Sequence, residues 1–466
     1  MAKVYARNSI FVRAASPIII QTKPGQSSAL AADYENIELS HRLNSVFMSS
    51  AVSELTRFPR VASAMNFVSG VRAMSTTNFN VLRNFDYVTG VWAGPDVMDI
   101  AQDPRVLSIW EDNQRRILSY PYASPQYTYS VPYSKGQRMY FTSMQEVRRL
   151  VGADVANSMG YTGKGINAVV VDTGGHISNP MTTRLVKQTA IPGVMTDENG
   201  HGEWCVSALG GTKATDRTFS QLNPSQPPVV NEGIAPGCGI TEIKALDLVV
   251  GTGTDSWLLK GLDMAISDKA DVVSCSWGGT PTTETPQTDP YYAPMQTLQS
   301  NNAIVCVASG DSGPDPATCD SPGTLPNVLT VGAVNAVTNT FESQFGQAGE
   351  VSGFSSRGPA YGTMIKPDTV SYGAIIDSAI SPVLAFSYTH IAHEYQAIAG
   401  TSQATPIVAG LMVLMKQVYK NAGRTLDLTE VKKMLSQLGH EKNNNDGWGM
   451  VTWPMIQTWA ASEGIL

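Results

Sequence analysis

Short runs of β-branched and apolar residues alternate with helical patterns from residue 160 onward. The runs that we predict as strands are Ile166–Asp172, Thr241–Leu246, Asp271–Ser276, Ala303–Ser309 and Val328–Ala333. Between two of them, Asp255–Lys269 begins with capping residues and places Leu258, Leu262 and Ala265 on one helical face. Because apolar strands separated by helices are typical of a parallel sheet covered on both faces, the sequence predicts an α/β domain of that kind.

The first 112 residues show a different order of elements. Predicted here are a strand near 17–23, a helical stretch near 40–56, a strand over Asn84–Trp92, a short helix at Pro95–Ala101 and a strand over Val106–Trp110. This order predicts a small α+β domain. Residues 113–140 are rich in Tyr, Ser and Pro and lack periodicity, which is typical of a linker. The predicted organisation is therefore a small domain over 1–112, a linker over 113–140 and an α/β domain over 141–466.

Charge and composition exclude some partners. The net charge of −7 argues against a nucleic-acid partner and against an anionic membrane surface, because both need concentrated Lys and Arg. The five cysteines form no C-x-x-C pair, so we expect buried thiols in a reducing compartment. The opening twenty residues lack the uninterrupted apolar core of a secretory signal, so we expect an intracellular, for example cytoplasmic, location, with non-standard export left open.

Three short blocks carry the residues of a nucleophilic site. Asp172 ends a predicted buried strand, at the edge where open α/β sheets place their sites. His201 lies between two glycines, and Ser402 precedes the apolar helix Ile407–Val418. Taken singly, the three residues have ordinary interpretations as a turn acid, a loop histidine and a helix cap. Together they supply the acid, base and nucleophile that acyl transfer requires.

The blocks VVVDTG, HGEWCVSALGG and GTSQATPIVAG, in this order, resemble those of the subtilases, the subtilisin-like serine proteases of peptidase family S8. The resemblance spans roughly residues 145–455 and implies a subtilisin-like fold and a serine endopeptidase, a hydrolase of proteins or peptides. By this likeness Asp172 orients His201, His201 is the general base and then the general acid, and Ser402 forms an acyl-enzyme.

Residues 1–112 resemble the ferredoxin-like, inhibitory prodomain of that family. The likeness implies a zymogen that is processed by autoproteolysis, with its own prodomain as an intramolecular inhibitor that assists folding. The pair Arg115–Arg116 stands near the end of this region, and we predict it as the processing site. The alternative is that this dibasic pair occurs there by chance.

Asp311 departs from the family pattern. In the block SGDSG it stands where most subtilases have an asparagine that donates to the oxyanion, so the expected oxyanion hole comprises Asp311 and the backbone N–H of Ser402. We hypothesise that Asp311 must be neutral to act, which predicts an optimum below neutral pH; the alternative is that Ser402 N–H provides most of the stabilisation. A similar SGDSG block occurs in sedolisins, so a sedolisin-like acid peptidase and an inactive subtilase-fold binding protein are the alternative functions.

The resemblance also implies residues that bind substrate. They are Ser276, Trp277, Gly278, Ser309, Gly310 and Asp320. Asp320 aligns with the base of the pocket for P1, the residue that supplies the carbonyl group of the cleaved bond. A carboxylate there favours Arg or Lys at P1, unless Asp320 is a solvated loop residue.

Neither a cofactor nor a metal ion is predicted. The loop that holds Asn223–Pro228 lacks the asparagine-rich calcium-binding segment of many subtilases, so calcium binding through that loop is not expected, and calcium elsewhere is left open. His390 and His393 have the spacing of two metal ligands but lack a supporting thiol or a second carboxylate, which favours surface or loop roles.

Overall fold

The computed structural model describes residues 3–5, 16–34, 80–92, 100–118, 141–191, 193, 195–217, 227–247, 251–336, 345–380 and 395–466. These residues belong to two compact units. The first consists of Met1–Asn113, Pro192–Val194 and Thr254–Asp263, and the second of Gln114–Ile191, Met195–Gly253 and Met264–Leu466. The predicted helix near 40–56, residues 119–140 of the predicted linker, Asn223–Gln226, His390 and His393 lie outside the described residues.

The described residues of the first unit form a five-stranded sheet and a helix, together with Thr254–Asp263 from later in the chain. Its elements are β1 Lys3–Tyr5, β2 Ser16–Thr22, α1 Ser27–Tyr34, β3 Asn80–Leu82, β4 Tyr87–Trp92 and β5 Val106–Glu111. The strand order is β1-β5-β2-β4-β3, with β2 antiparallel to both of its neighbours. Ile18, Ile20, Val88 and Ile109 pack with Leu30 of α1 in a buried apolar cluster. The strand predicted near 17–23 therefore lies at the centre of this sheet.

The second unit is built on a seven-stranded sheet. The remaining strands of the chain are β6 Gln114–Ile117, β7 Thr142–Ser143, β8 Asn167–Asp172, β9 Val186–Thr189, β10 Ala214–Thr215, β11 Val230–Asn231, β12 Gly239–Lys244, β13 Thr252–Thr254, β14 Val272–Cys275, β15 Trp277–Gly278, β16 Ile304–Ala308, β17 Leu329–Asn335, β18 Thr369–Ala374, β19 Ile376–Ala379 and β20 Tyr395–Ile398. The large sheet has the order β18-β17-β16-β14-β8-β12-β9, and every neighbouring pair in it is parallel. The smaller sheets are β10-β11, β13-β6-β15 and β20-β19-β7.

Helices cover the large sheet, so the predicted α/β architecture is confirmed. The further helices of the described residues are α2 Met144–Val151, α3 Ala153–Ser158, α4 His201–Gly210, α5 Asp255–Ser267, α6 Tyr292–Ser300, α7 Thr401–Asn421, α8 Leu428–Leu438 and α9 Trp453–Ser462, with a short 3-10 helix at Pro286–Thr288. Of these, α4, α6 and α7 contact strands of the large sheet. Each of the five predicted strands agrees with β8, β12, β14, β16 or β17 to within two residues at either end.

Two of these helices are buried on all sides. α4 is buried along its whole length, and α7 is buried from Thr401 to Tyr419. α7 packs against α4 and against strands β14, β16, β17 and β18. Because a helix that is apolar all round belongs in a core, α7 is the central helix of the second unit. Among the described helices, none combines the length and the apolar character needed to cross a membrane.

A buried ion cluster joins β17, β18 and the region after α8. Lys366 Nζ lies 2.8 Å from Asp368 Oδ2, and Lys442 Nζ lies 2.6 Å from Asp368 Oδ1. Lys366 and Asp368 are each 1% exposed at the side chain. Burial lowers the pKa of Lys366 to about 7 despite the opposing charge of Asp368. The lysine charge therefore depends on this carboxylate.

We expect Asp368→Asn to lower the free energy of unfolding by about 3–5 kcal/mol, because it leaves the Lys366 ammonium buried without a counter-charge. The matched control is Glu146→Gln, which removes an exposed ion pair with Arg149 and is expected to cost at most about 1 kcal/mol. Urea unfolding followed by circular dichroism measures the difference. Equal costs for the two substitutions would contradict this role of Asp368.

Candidate active site

Asp172, His201 and Ser402 converge from three elements of the second unit. Asp172 is the last residue of β8, His201 the first of α4 and Ser402 the second of α7, and all three are fully buried. Asp172 Oδ1 lies 2.7 Å from His201 Nδ1 and also accepts from Thr173 N–H at 2.8 Å. A carboxylate at Nδ1 assigns the proton to that nitrogen and leaves Nε2 as the acceptor. Nε2 of His201 is buried and has no hydrogen-bond partner among the described residues.

Asp197 fixes the turn that delivers His201. Its Oδ1 accepts from Gly200 N–H at 2.6 Å and Asn199 N–H at 3.0 Å, and its Oδ2 accepts from Glu203 N–H at 3.0 Å. Burial raises the pKa of the Asp197 carboxyl, and the hydrogen bond from Gly200 N–H opposes that shift. A buried acceptor for several N–H groups at a helix start holds the first turn in place, and thereby the histidine. The sequence analysis missed Asp197; its position four residues before His201 is the signal.

The hydroxyl, the backbone N–H and the backbone carbonyl of Ser402 all form hydrogen bonds. Its Oγ donates to the carbonyl oxygen of Ser276 at 2.8 Å rather than to His201. Its own carbonyl accepts from Ser276 Oγ at 3.0 Å. That carbonyl is available because Pro406, four residues later in α7, has no N–H to donate. The proline therefore lets the start of α7 bond to the strand edge that carries Ser276.

A segment of the same chain lies in extended form at this site. β6 pairs antiparallel with β15, with Ile117 opposite Trp277. Ile117 N–H donates to the carbonyl of Gly251 at 3.0 Å, and Leu118 N–H donates to the carbonyl of Ser276 at 3.1 Å. The carbonyl oxygen of Leu118 accepts from Ser402 N–H at 3.0 Å. A peptide carbonyl is therefore held beside the side chain of Ser402.

The position of Leu118 bears on the predicted processing site. Arg115 and Arg116 lie three and two residues before the carbonyl group that Ser402 N–H contacts. Cleavage directly after the dibasic pair would need the carbonyl of Arg116 at that point. The pairing of β6 with β15 sets this register, because a shift of two residues would break the hydrogen bonds of Ile117 and Leu118. Leu118, and not Arg116, presents its carbonyl to Ser402 N–H, and cleavage at the dibasic pair stays a prediction.

Asp311 faces the start of α7. Its Oδ1 accepts from Thr401 N–H and from Thr401 Oγ, both at 2.8 Å. Its Oδ2 is buried and has no hydrogen-bond partner in the described structure. Burial raises the pKa of this carboxyl to about 7, against the two hydrogen bonds from Thr401, which lower it. Since Oδ1 is occupied as an acceptor, a proton on this carboxyl belongs on Oδ2. Thr401, which the sequence analysis did not single out, orients the group.

The other predicted substrate-binding residues line the same region. Ser276, Trp277 and Gly278 form the edge that pairs with β6, as described above. Ser309 and Gly310 follow β16, and the carbonyl of Ser309 accepts from Asp320 N–H at 2.8 Å. Gly310 has φ of 116°, and a Cβ atom there would lie 2.6 Å from Ser356 Oγ and 3.0 Å from Asp320 Oδ2. Asp320 is 5% exposed, so the alternative of a solvated loop residue is wrong.

Cys205 is a further close neighbour that the sequence analysis did not place at the site. Its Sγ lies 3.8 Å from His201 Nδ1 and 3.9 Å from the carbonyl of Ser402. Burial raises the pKa of this thiol well above its usual value, so it stays protonated. Within the described residues, Asp172, His201 and Cys205 bring potential metal-ligand atoms within 4.8 Å of one another. Two of these three are already joined by the direct Asp172–His201 hydrogen bond.

Comparison with known proteins decides the family. The sequence profile of the Subtilase family matches residues 165–449, which include Asp172, His201 and Ser402. The chain belongs to the subtilase family. Membership places this subtilase among the serine-type endopeptidases.

Individual relatives agree with that assignment. The chain is 32% identical to serine protease AprX of Bacillus subtilis over 312 residues, which are 63% of this chain and 64% of AprX. It therefore spans less than two thirds of the length of AprX. It is 27% identical to subtilisin E of Bacillus subtilis over 366 residues, which are 77% of this chain and 78% of subtilisin E.

Proposed function

We propose that this subtilase hydrolyses peptide bonds through Ser402, His201 and Asp172 and that it processes its own chain. The observation that carries the proposal is the Leu118 carbonyl, held at 3.0 Å by Ser402 N–H directly after the antiparallel strand β6. Substrate peptides of serine endopeptidases need this arrangement, since attack requires a carbonyl carbon fixed beside the serine hydroxyl. The proposed substrates are therefore proteins or peptides.

The chemistry begins with a proton transfer from Ser402. The hydroxyl leaves the carbonyl of Ser276, and His201 Nε2 takes its proton as Oγ bonds to the peptide carbonyl carbon. Asp172 stabilises the imidazolium that forms, through its 2.7 Å contact with Nδ1. The C–N bond then breaks as His201 returns the proton to the departing amine. Water then bonds to the acyl carbonyl carbon as His201 Nε2 takes its proton, and the C–Oγ bond breaks as His201 returns that proton to Ser402 Oγ.

Two groups stabilise the oxyanion in this proposal. Ser402 N–H already donates to the carbonyl oxygen of Leu118, and the buried Oδ2 of Asp311 is the second candidate donor when it carries a proton. A preorganised donor of this kind is worth about 10²–10³ in kcat. In this proposal the rate of peptide hydrolysis therefore depends on whether the Asp311 carboxyl carries a proton.

Self-processing follows from the register of β6. With Leu118 at P1, the chain cleaves its own Leu118–Ser119 bond, and residues 114–118 remain on the edge of β15 as a product-like inhibitor. This proposal supersedes the expectation of cleavage directly after Arg116. The predicted prodomain, residues 1–112, then leaves with that segment attached.

Expression of the full chain followed by amino-terminal sequencing of its large fragment tests the proposal. We expect the wild-type fragment to begin at Ser119 and the Ser402→Ala chain to remain intact. A fragment that begins at Ile117 would support cleavage after the dibasic pair and overturn the assignment of Leu118. A wild-type chain that stays intact would overturn self-processing.

A further inference from the structure

Arg115 is buried while its neighbour Arg116 is exposed. Arg115 is 2% exposed, and along β6 exposed and buried side chains alternate from Gln114 to Ile117. Counting back from Leu118 as P1, Arg115 occupies P4. An arginine costs free energy to bury unless its charge and its N–H groups are satisfied. The groups around Arg115 therefore decide whether the enzyme selects arginine at P4.

The surroundings of Arg115 match a guanidinium group. Nη1 donates to the carbonyl oxygen of Thr280 at 3.3 Å, and Cζ lies 5.6 Å from the centre of the Tyr291 ring. A Cβ atom at Gly279 would lie 3.1 Å from both Cδ and Nη1 of Arg115, so the glycine leaves the space that the side chain fills. A planar cation over an aromatic face and a carbonyl acceptor together recognise arginine.

Negative charge is also available to this subsite. Burial raises the pKa of Asp320 to about 6, and the positive charges of Arg116 and Arg115 oppose that shift. Buried carboxylates beside a buried cation offset part of the cost of desolvating it.

The P1 residue is aliphatic, unlike the arginine at P4. Leu118 is 1% exposed, and a Cβ atom at Gly278 would lie 3.1 Å from its Cδ1. The pocket at P1 thus encloses an aliphatic side chain in this structure. The same Cβ position at Gly278 lies 3.0 Å from Asp320 Cβ, and the selection of Arg or Lys at P1 by Asp320 stays a prediction.

We propose that Gly279, Thr280 and Tyr291 form a subsite that selects arginine at P4, so that the favoured substrates carry arginine three residues before an aliphatic P1 residue. The inference rests on the proposed function, in which Ser402 attacks the P1 carbonyl. It deepens that function by naming the class of peptide the site accepts. Arg116, whose side chain is exposed, carries no comparable selectivity.

Internally quenched peptides test the subsite with the processed wild-type enzyme. One contains Arg-Arg-Ile-Leu before the cleaved bond, and two others replace either the first or the second arginine by alanine. We expect alanine at P4 to lower kcat/KM by about 10- to 100-fold, since a charged hydrogen bond is lost. Alanine at P3 is the matched control, with an expected change below about fivefold.

A change on the enzyme side separates the subsite from a general effect of peptide charge. The three nearest atoms to a Cβ atom at position 279 all belong to Arg115 and Gln114. Gly279→Val is therefore expected to obstruct a P4 arginine and to reduce the kcat/KM ratio between the Arg-P4 and Ala-P4 peptides towards one. The ratio is internal to each enzyme preparation, so a loss of folded protein does not change it.

The outcomes distinguish a failure of the arginine subsite from a failure of the proposed peptidase activity. Equal kcat/KM for Arg and Ala at P4 in the wild type would overturn the arginine subsite while leaving the peptidase intact. An unchanged ratio in Gly279→Val would likewise contradict the assignment of the subsite to Gly279. If the wild type cleaved none of the peptides, the proposed function would fall, and this inference with it.

Discussion

Ser402→Ala is expected to lower kcat for peptide hydrolysis by about 10⁶-fold, because it removes the hydroxyl that forms the acyl-enzyme in the proposed mechanism. His201→Ala is expected to produce a loss of similar size, since serine attacks poorly when no base takes its proton. The double variant should be hardly slower than either single variant, because the two residues act as a unit. Initial rates with the quenched Arg-Arg-Ile-Leu peptide measure all three.

Ser436→Ala is the control for the loss of a serine, because Ser436 is exposed on α8 and donates only to the carbonyl of Lys433 at 2.8 Å. Its kcat is expected to equal that of the wild type. If Ser402→Ala retained more than about one hundredth of the wild-type rate, acyl-enzyme formation at Ser402 would be contradicted.

Asp311→Asn is expected to extend activity to alkaline pH. Burial raises the pKa of Asp311 to about 7, so its carboxyl is neutral below that pH and ionised above it. Only the neutral form donates from Oδ2, so wild-type kcat/KM should fall as pH rises through about 7. Two pH units above that pKa about 1% of the carboxyl groups remain protonated, which predicts a loss of about 10²-fold. An asparagine amide donates at every pH and removes this alkaline limb.

Profiles of kcat/KM between pH 5 and pH 10 test this dependence, with Asp311→Ala as the matched variant that lacks a donor throughout. We expect Asp311→Ala to be lower by about 10²–10³ on the acidic side and to approach the wild type at high pH. Wild-type and Asp311→Asn profiles that superimpose would show that Asp311 does not donate to the oxyanion. Ser402 N–H would then provide most of the stabilisation.

The large sheet and the family could be predicted from the sequence because their signals are local. Each buried parallel strand is a continuous apolar run, and β8, β14 and β16 were predicted to within a residue of either end. Asp172, His201 and Ser402 stand at element ends, so their approach to one another follows from the order of strands and helices. The three motifs and the predicted order of strands and helices were enough to predict that these residues lie close together.

The register at the cleft could not be predicted in the same way. Gln114–Ile117 has the composition of a linker and becomes a strand only because β15 and Gly251, far away in the chain, supply its partners. The position of Arg115 and Arg116 relative to Ser402 depends on that pairing. Asp320 illustrates the same limit, since the sequence left open whether it is a solvated loop residue and only the fold shows that it is buried.

Reaction with a fluorophosphonate, followed by peptide mapping, tests most directly whether Ser402 is a nucleophile activated by His201. We expect one label per processed wild-type molecule, on the peptide that contains Ser402. His201→Ala, which keeps the serine, should react at least about 10³-fold more slowly. A label on a different residue, or equal labelling rates in the wild type and His201→Ala, would contradict the proposed peptidase.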